Sequence, residues 1–278
     1  MIYFCQTMKK MLITGATNGI GAAAIRQLKD TEVHPILLAR SEKKAQEILR
    51  EIGRGDYYVC DLSDTMSVLQ AAQEIISKET TIDYFIANAG VIGYKDTRKT
   101  GEGVEMTMQV NFLSHALLVE QLLPVFEKSG TVLAFTSSML HRSYWLANYD
   151  FSTSLNATKH SQFKSYSRSK AAICTYAMWL AKNEKIRVHL LDPGVAATGI
   201  TRSREDWMDK AMNSVGFLFS KPESSARTIL RLIQDEKYKR LSGIYLTKNR
   251  DKSPDKRAME TTNQRSLLDQ IKKHLPAV

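Results

Sequence analysis

Three cysteines, Cys5, Cys60 and Cys174, are all that this sequence has, and none stands in a Cys-x-x-Cys pair. An odd count at such wide spacing suits no closed disulfide set and points to a reducing compartment, so a cytoplasmic location is expected. The six histidines are equally dispersed, and no metal-binding cluster is visible. A membrane-length apolar run is also lacking. The longest candidate, Phe112 to Phe126, is broken by His115, Glu120, Gln121 and Pro124, short of the ~18–20 residues a span requires. The opening Met1-Ile2-Tyr3-Phe4-Cys5 is too short for a secretory signal core, and Lys9-Lys10 follow it rather than precede it. Met8 is an alternative start, and residues 1–8 are expected to form a disordered extension. Internal repeats, low-complexity tracts and linkers are missing. Lys and Arg exceed Asp and Glu by 39 to 29, a net charge of +10, but no basic array interleaved with aromatics appears, so no nucleic-acid partner is expected.

What is there is a chain of 278 residues, 43% of them hydrophobic, enough to bury a core as one domain. Short apolar runs recur at Met11–Thr14, Ile36–Ala39, Tyr57–Cys60, Tyr84–Ala87, Val132–Thr136, Arg187–Leu191 and Gly243–Leu246. Helical patterns lie between them, at Ile20–Lys29, Glu42–Ile52, Thr65–Lys78, Gly103–Phe126, Gln162–Asn183 and Pro222–Gln234. This alternation predicts an α/β fold: a single-domain, doubly wound, Rossmann-like parallel sheet of about seven strands with helices on both faces. The tail places Met259, Leu267, Leu268, Ile271 and Leu275 on or near one face of a final amphipathic helix.

The first strand runs into Thr14-Gly15-Ala16-Thr17-Asn18-Gly19-Ile20-Gly21 and then into a helix. Strand, glycine-rich turn and helix start form a pyrophosphate site, because glycines admit the backbone close to the anion and the helix offers free N–H groups. The glycine pattern alone is weak; its place at the first crossover strengthens it. The second strand ends Ala39-Arg40, where an NAD site presents an acid to the ribose; a guanidinium there favours the 2′-phosphate of NADP(H) over NAD(H). The alternative is a solvated basic helix start. At the third strand, Asp61 accepts from an adenine amino group with Leu62 beside the ring, or it caps the helix starting at Asp64 or Thr65. After the fourth strand, Asn88-Ala89-Gly90 lets the backbone lie close to a cofactor while the Asn ties strands together. The fifth strand ends Thr136-Ser137-Ser138, and the next long helix carries Tyr166 and Lys170 at i and i+4, on one face. A phenol with a pKa of ~10 becomes a usable acid and base beside an ammonium.

On these residues, together with Asn111 and Pro193-Gly194-x-x-x-Thr198, the chain resembles the short-chain dehydrogenase/reductases over nearly its whole length. Gln109–Pro124, Lys221–Leu232 and Gly243-Ile244-Tyr245 look most like its retinol dehydrogenase-like branch. The resemblance implies Tyr166 as acid/base, Lys170 as its pKa partner and ribose ligand, and Ser138 (with Ser137 as competitor) as the hydroxyl that holds the substrate oxygen. It implies Asn111 as the residue ordering a relay water, Pro193-Gly194 lining the nicotinamide and Thr198 binding its carboxamide. Gly15, Thr17, Asn18, Gly19, Ile20, Gly21, Arg40, Asp61, Leu62, Asn88, Ala89 and Gly90 complete the cofactor set. Two departures stand out: Ala87 replaces the first Asn of the usual pair, and 28 positions separate Ser138 from Tyr166. The insertion, roughly Trp145 to His160, is expected to border the substrate cleft with Trp145, Tyr149 and Phe151. His141 and Arg142 are expected to solvate a loop.

Residues 197–220, with Trp207, Met208, Met212 and Phe217, are expected to cover a hydrophobic carbonyl or alcohol, or else simply to pack on the core. The expected activity is an NADP(H)-dependent interconversion of hydroxyl and carbonyl. The alternatives are a non-catalytic NADP(H)-binding regulator or sensor, and a basic membrane-surface protein using the C-terminal helix. The helix Gly103–Phe126 either pairs with a copy in a homodimer or homotetramer or is covered by the chain itself.

Overall fold

The strands are β1 (Lys9–Thr14), β2 (Val33–Ala39), β3 (Asp56–Val59), β4 (Tyr84–Ala87), β5 (Val132–Thr136), β6 (Arg187–Asp192), β7 (Ile244–Thr247) and β8 (Asp251–Lys252). In this computed structural model, which describes residues 8–92, 98–143, 147–151, 161–194 and 221–274, they form one sheet in the order β3-β2-β1-β4-β5-β6-β7-β8. Every pairing is parallel except β7 with β8. The order reverses between β1 and β4, which opens a crevice at the carboxyl ends of those two strands. β4 and β5 are buried at every residue, as a strand covered on both faces must be. Edge strand β3 leaves Val59 54% exposed.

The sheet has one strand more than the expected seven. β8 consists of two charged residues, so no apolar pattern announces it. It is held instead by tertiary contacts: Arg231 pairs with Asp251 at 2.8 Å, and the Tyr238 hydroxyl donates to Asp251 at 2.8 Å.

Helices α1 (Gly19–Gln27), α2 (Glu42–Ile52) and α7 (Pro222–Gln234) cover one face. Helices α3 (Thr65–Lys78), α5 (Ser114–Ser129), α6 (Gln162–Asn183) and α8 (Thr261–His274) cover the other. Local chemistry fixes their starts: Asn18 caps α1, Ser41 caps α2 and Asp64 caps α3, each accepting from a first-turn N–H.

The segment expected as one helix from Gly103 to Phe126 is divided. Glu105 caps a single turn, α4 (Met106–Met108), and a π turn (Gln109–Leu113) leads into α5. Hydrophobic spacing does not report such an inserted residue. The final helix has Leu267 and Ile271 buried, whereas Met259 precedes it and is 48% exposed. Because its apolar face packs on α6, it is not free to lie on a membrane.

Candidate active site

Thr14 closes the end of β1. Its hydroxyl accepts the backbone N–H groups of Asn88 at 3.0 Å and Ala89 at 2.9 Å. Asn88 returns the contact, its side-chain amide donating to the carbonyls of Thr14 and Gly15. The turns after β1 and β4 are therefore stitched together, and the space between them is spent. A Cβ on Gly15, whose φ is +67°, would lie 2.7 Å from the Cα of Ala89, and one on Gly21 would strike the carbonyl of Gly15. Gly90 is the third such position: a Cβ there would lie 3.3 Å from Asn111 Oδ1 and 3.5 Å from Lys170 Nζ. The missing Cβ atoms let the two turns close on each other beside the start of α1, with Gly90 against Asn111 and Lys170, the backbone approach that a dinucleotide turn requires.

Asn18, at the helix start, is exposed and accepts from the N–H of Gly19, while Thr17 and Ile20 are half-buried beside it. Arg40 is exposed immediately after β2. Asp61 does not cap α3; that place is taken by Asp64, which accepts from Met66 N–H at 3.0 Å. The Asp61 carboxylate instead holds Ser63, accepting from its N–H and its hydroxyl, and Leu62 is half-buried alongside.

Tyr166 and Lys170 lie on the same side of α6, with Nζ 5.6 Å from the phenol ring centroid. Ser138 is the serine on the Tyr166 side, and its hydroxyl favours the phenolate. Ser137 points elsewhere, buried against Cys174 Sγ at 3.1 Å and His141 at 3.4 Å. The alternation of side chains along an extended segment separates the two. Lys170 is 3% exposed and donates to the Thr136 carbonyl at 2.7 Å.

The electrostatics of the site differ from the simple expectation. Burial pushes the Tyr166 phenol up to about 12, the Asp192 charge adds to that, and the Ser138 hydroxyl opposes it. Burial also lowers Lys170 to about 8. The ammonium turns to the Thr136 carbonyl, and burial keeps the Tyr166 phenol protonated at neutral pH.

The Asn111 side chain is held by three hydrogen bonds. Its Oδ1 accepts from Val91 N–H at 2.7 Å, and its amide donates to the Val91 carbonyl at 3.0 Å and to Ser169 Oγ at 2.9 Å. Ser169 in turn donates to the Tyr166 carbonyl at 2.7 Å. The Asn111 carbonyl receives His115 Nδ1. Pro193 is buried and Gly194 exposed at the end of β6, the Gly194 N–H donating to Asp192. Thr198, Trp145 and residues 197–220 lie outside the described residues. Of the insertion, Tyr149 and Phe151 are buried as a ring pair with centroids 6.4 Å apart.

Arg142 is exposed, as a loop residue is expected to be, but His141 does not solvate the loop. His141 is fully buried with its ring 5.3 Å from that of Tyr245, and Arg142 stacks over Tyr245 at 5.1 Å. Arg257, from the C-terminal part, donates to the carbonyls of His141 and Arg142, pairs with Asp255 at 2.8 Å and covers the Tyr149 ring at 4.4 Å. Sequence reasoning passed over Arg257, which no local pattern marks. It saw His115 only as a break in an apolar run, although the i+4 spacing from Asn111 was readable.

A glycine turn at the reversal of a parallel sheet, with a phenol and an ammonium on the adjoining helix, is the arrangement of a dinucleotide-dependent oxidoreductase. The chain belongs to the short chain dehydrogenase family, whose family model matches residues 9–209. It is similar to polyprenol dehydrogenase of Mus musculus, 26% identical over 274 residues covering 92% of this chain and 80% of that one. It is likewise similar to human retinol dehydrogenase 14, 29% identical over 288 residues, 94% of this chain and 84% of the relative. Among solved structures, a short chain dehydrogenase of Shigella flexneri 2a complexed with NADP superposes with a TM-score of 0.66 at 25% identity, covering 88% of this chain and all of that one. The chain is thus an NAD(P)-dependent dehydrogenase/reductase acting on CH–OH and C=O groups.

Proposed function

We propose that this chain interconverts a hydroxyl and a carbonyl on a hydrophobic small molecule, uses NADP(H) in preference to NAD(H), and employs Tyr166 as acid and base. The observation that carries this reading is the gathering of Tyr166 and buried Lys170, Nζ 5.6 Å from the phenol ring centroid, beside Gly90 and the close-packed glycine turns. The dinucleotide, when bound, supplies or accepts a hydride. Gly15, Gly19, Gly21 and the start of α1 take its pyrophosphate; Arg40 takes the 2′-phosphate; Asp61 and Leu62 border the adenine; Lys170 holds the ribose. Pro193, Gly194 and Thr198 line the nicotinamide end.

In the reductive direction Ser138 holds the substrate oxygen and the Tyr166 hydroxyl donates its proton to it. Burial, which pushes the phenol up to about 12, keeps that proton on the hydroxyl at neutral pH. In the oxidative direction Tyr166 must act as a base, and the Ser138 hydroxyl favours the phenolate. Relatives named for polyprenol and retinol support a hydrophobic alcohol, or its carbonyl, as the substrate class. No described helix is long and apolar enough to cross a membrane. The unpaired, buried Cys60 and Cys174 support a cytoplasmic site of action.

The test is Tyr166→Phe, read by NADPH fluorescence titration and by loss of reduced-nicotinamide absorbance with hydrophobic aldehydes and ketones. NADPH affinity should stay near wild type while turnover falls by roughly 10²–10⁴. Near-full turnover would remove Tyr166 from the mechanism, and failure of the wild-type chain to bind either nucleotide would overturn the reading of the glycine turns.

A further inference from the structure

Helix α5 buries a histidine that the chemistry above does not use. His115 is 1% exposed, and both ring nitrogens are engaged: Nε2 with Thr14 Oγ1 at 2.9 Å and Nδ1 with the Asn111 carbonyl at 3.0 Å. Donor counting assigns the tautomer. Thr14 Oγ1 already accepts two backbone N–H groups, from Asn88 and Ala89. A hydroxyl has two acceptor sites and one proton, so Thr14 donates to Nε2. The ring proton is then on Nδ1 and is given to the Asn111 carbonyl. Burial lowers the imidazole pKa to about 4, which keeps the ring neutral at pH 7.

A buried histidine commonly does no more than satisfy its neighbours. Here one neighbour is the crossing that holds both glycine turns, and the other is the backbone of Asn111. That carbonyl belongs to the π turn, where an inserted residue shifts the hydrogen-bond register of the helix. The Asn111 side chain is fixed on Val91 and Ser169, and through Ser169 on the backbone of Tyr166.

We propose that His115 is a positioning residue for proton transfer: a neutral strut of fixed tautomer joining the Thr14 crossing to the Asn111 carbonyl. Its catalytic consequence rests on the assignment of Tyr166; its geometry does not.

Two variants separate its arms. In His115→Asn the side-chain amide occupies the place of Nδ1 and keeps the bond to Asn111; in His115→Gln it reaches the place of Nε2 and keeps the bond to Thr14. The full-length variants are compared by kcat, by the solvent deuterium isotope effect on kcat and by NADPH affinity. His115→Gln should lose about tenfold in kcat, less than the ~10²–10⁴ of a proton-transferring group itself, with a raised isotope effect and NADPH affinity near wild type. His115→Asn should recover most of kcat and the normal isotope effect while binding NADPH more weakly. Equal losses in both variants, or unchanged isotope effects, would reduce His115 to packing. Should neither variant fold, nitrogen–proton NMR of the wild-type imidazole at pH 7 decides: an Nδ1–H ring is expected, and an Nε2–H ring overturns the proposal. The two failures are distinguishable, since full turnover in Tyr166→Phe sinks the acid/base assignment, whereas an Nε2–H ring sinks the strut whatever Tyr166 does.

Discussion

The turns after β1 and β4 and the segments after β5 and β6 meet at the same edge of the sheet but are built differently. In the first pair the polar atoms named above are partnered: the Thr14 hydroxyl serves two N–H groups and one imidazole, and Asn88 serves two carbonyls. No room is left for a side chain on Gly15 or Gly21. Around the second pair, Thr136 Oγ1, His141 Nε2, Tyr149 Oη, Ser165 Oγ and Ser167 Oγ are buried with no partner among the described residues. Buried polar atoms are usually satisfied, and the two pairs differ in how far their own chain satisfies them. The side proposed to take the cofactor is closely packed. The side facing the variable ligand depends on loops and on distant segments, Arg257 among them, for its order.

The largest expected effect breaks the closed side. Gly15→Val places a branched side chain at φ +67° against the backbone of Ala89. It should cost about 3 kcal/mol of stability, roughly 6–10 °C in Tm, and abolish measurable NADPH binding. A variant that melts and binds like wild type would show that the crossing has slack.

Acid should act on both sides through buried histidines. Burial lowers the pKa of His115 to about 4, and those of His141 and His189 also fall. Below the ordinary pKa of ~6.5 the unfolded chain takes up protons that the folded chain refuses, so stability is lost as pH falls from 6.5 toward 4. For His115 alone this amounts to about 3 kcal/mol at the low end of that window. Thermal melts from pH 7 to 4 check it, and His115→Asn should flatten the curve. An unchanged slope in that variant would place the acid sensitivity elsewhere.

Arg257→Ala probes the open side alone. It removes a mostly buried ion pair and two bonds to carbonyls of the segment after Ser138, at about 2 kcal/mol. Turnover should fall severalfold while NADPH affinity holds; equal losses in both would erase the contrast between the sides. The smallest effect is expected at exposed Arg40. Arg40→Ala should weaken NADPH by about tenfold and leave NADH nearly untouched, and parallel losses would end its proposed role at the 2′-phosphate.

Much of this architecture was legible because the chain punctuates itself. β4, β5, α2, α3, α6 and α7 begin and end where Ser41, Asp64, Pro222 and the flanking polar residues predict. The gathering of Gly15, Gly90, Ser138, Tyr166 and Lys170 at one edge followed from strand order and helix period. What stayed hidden depends on three dimensions. β8 exists through Arg231 and Tyr238; the π turn changes a register without changing composition; His141 is buried by Tyr245, more than a hundred residues away. Asp61 and Asp64 could not be told apart because either can satisfy a helix start, and only the backbone geometry selects Asp64.

The C-terminal helix α8 rests on the outer side of α6 through Leu267 and Ile271. A helix tethered to the surface it covers is present there at an effective concentration of about millimolar. A second copy of the chain, arriving at micromolar concentration, competes for α6 at a disadvantage of roughly a thousandfold before any contact is compared. The patch of α6 under Leu267 and Ile271 is therefore already taken by the chain's own tail, and a second copy reaches that patch only by displacing it.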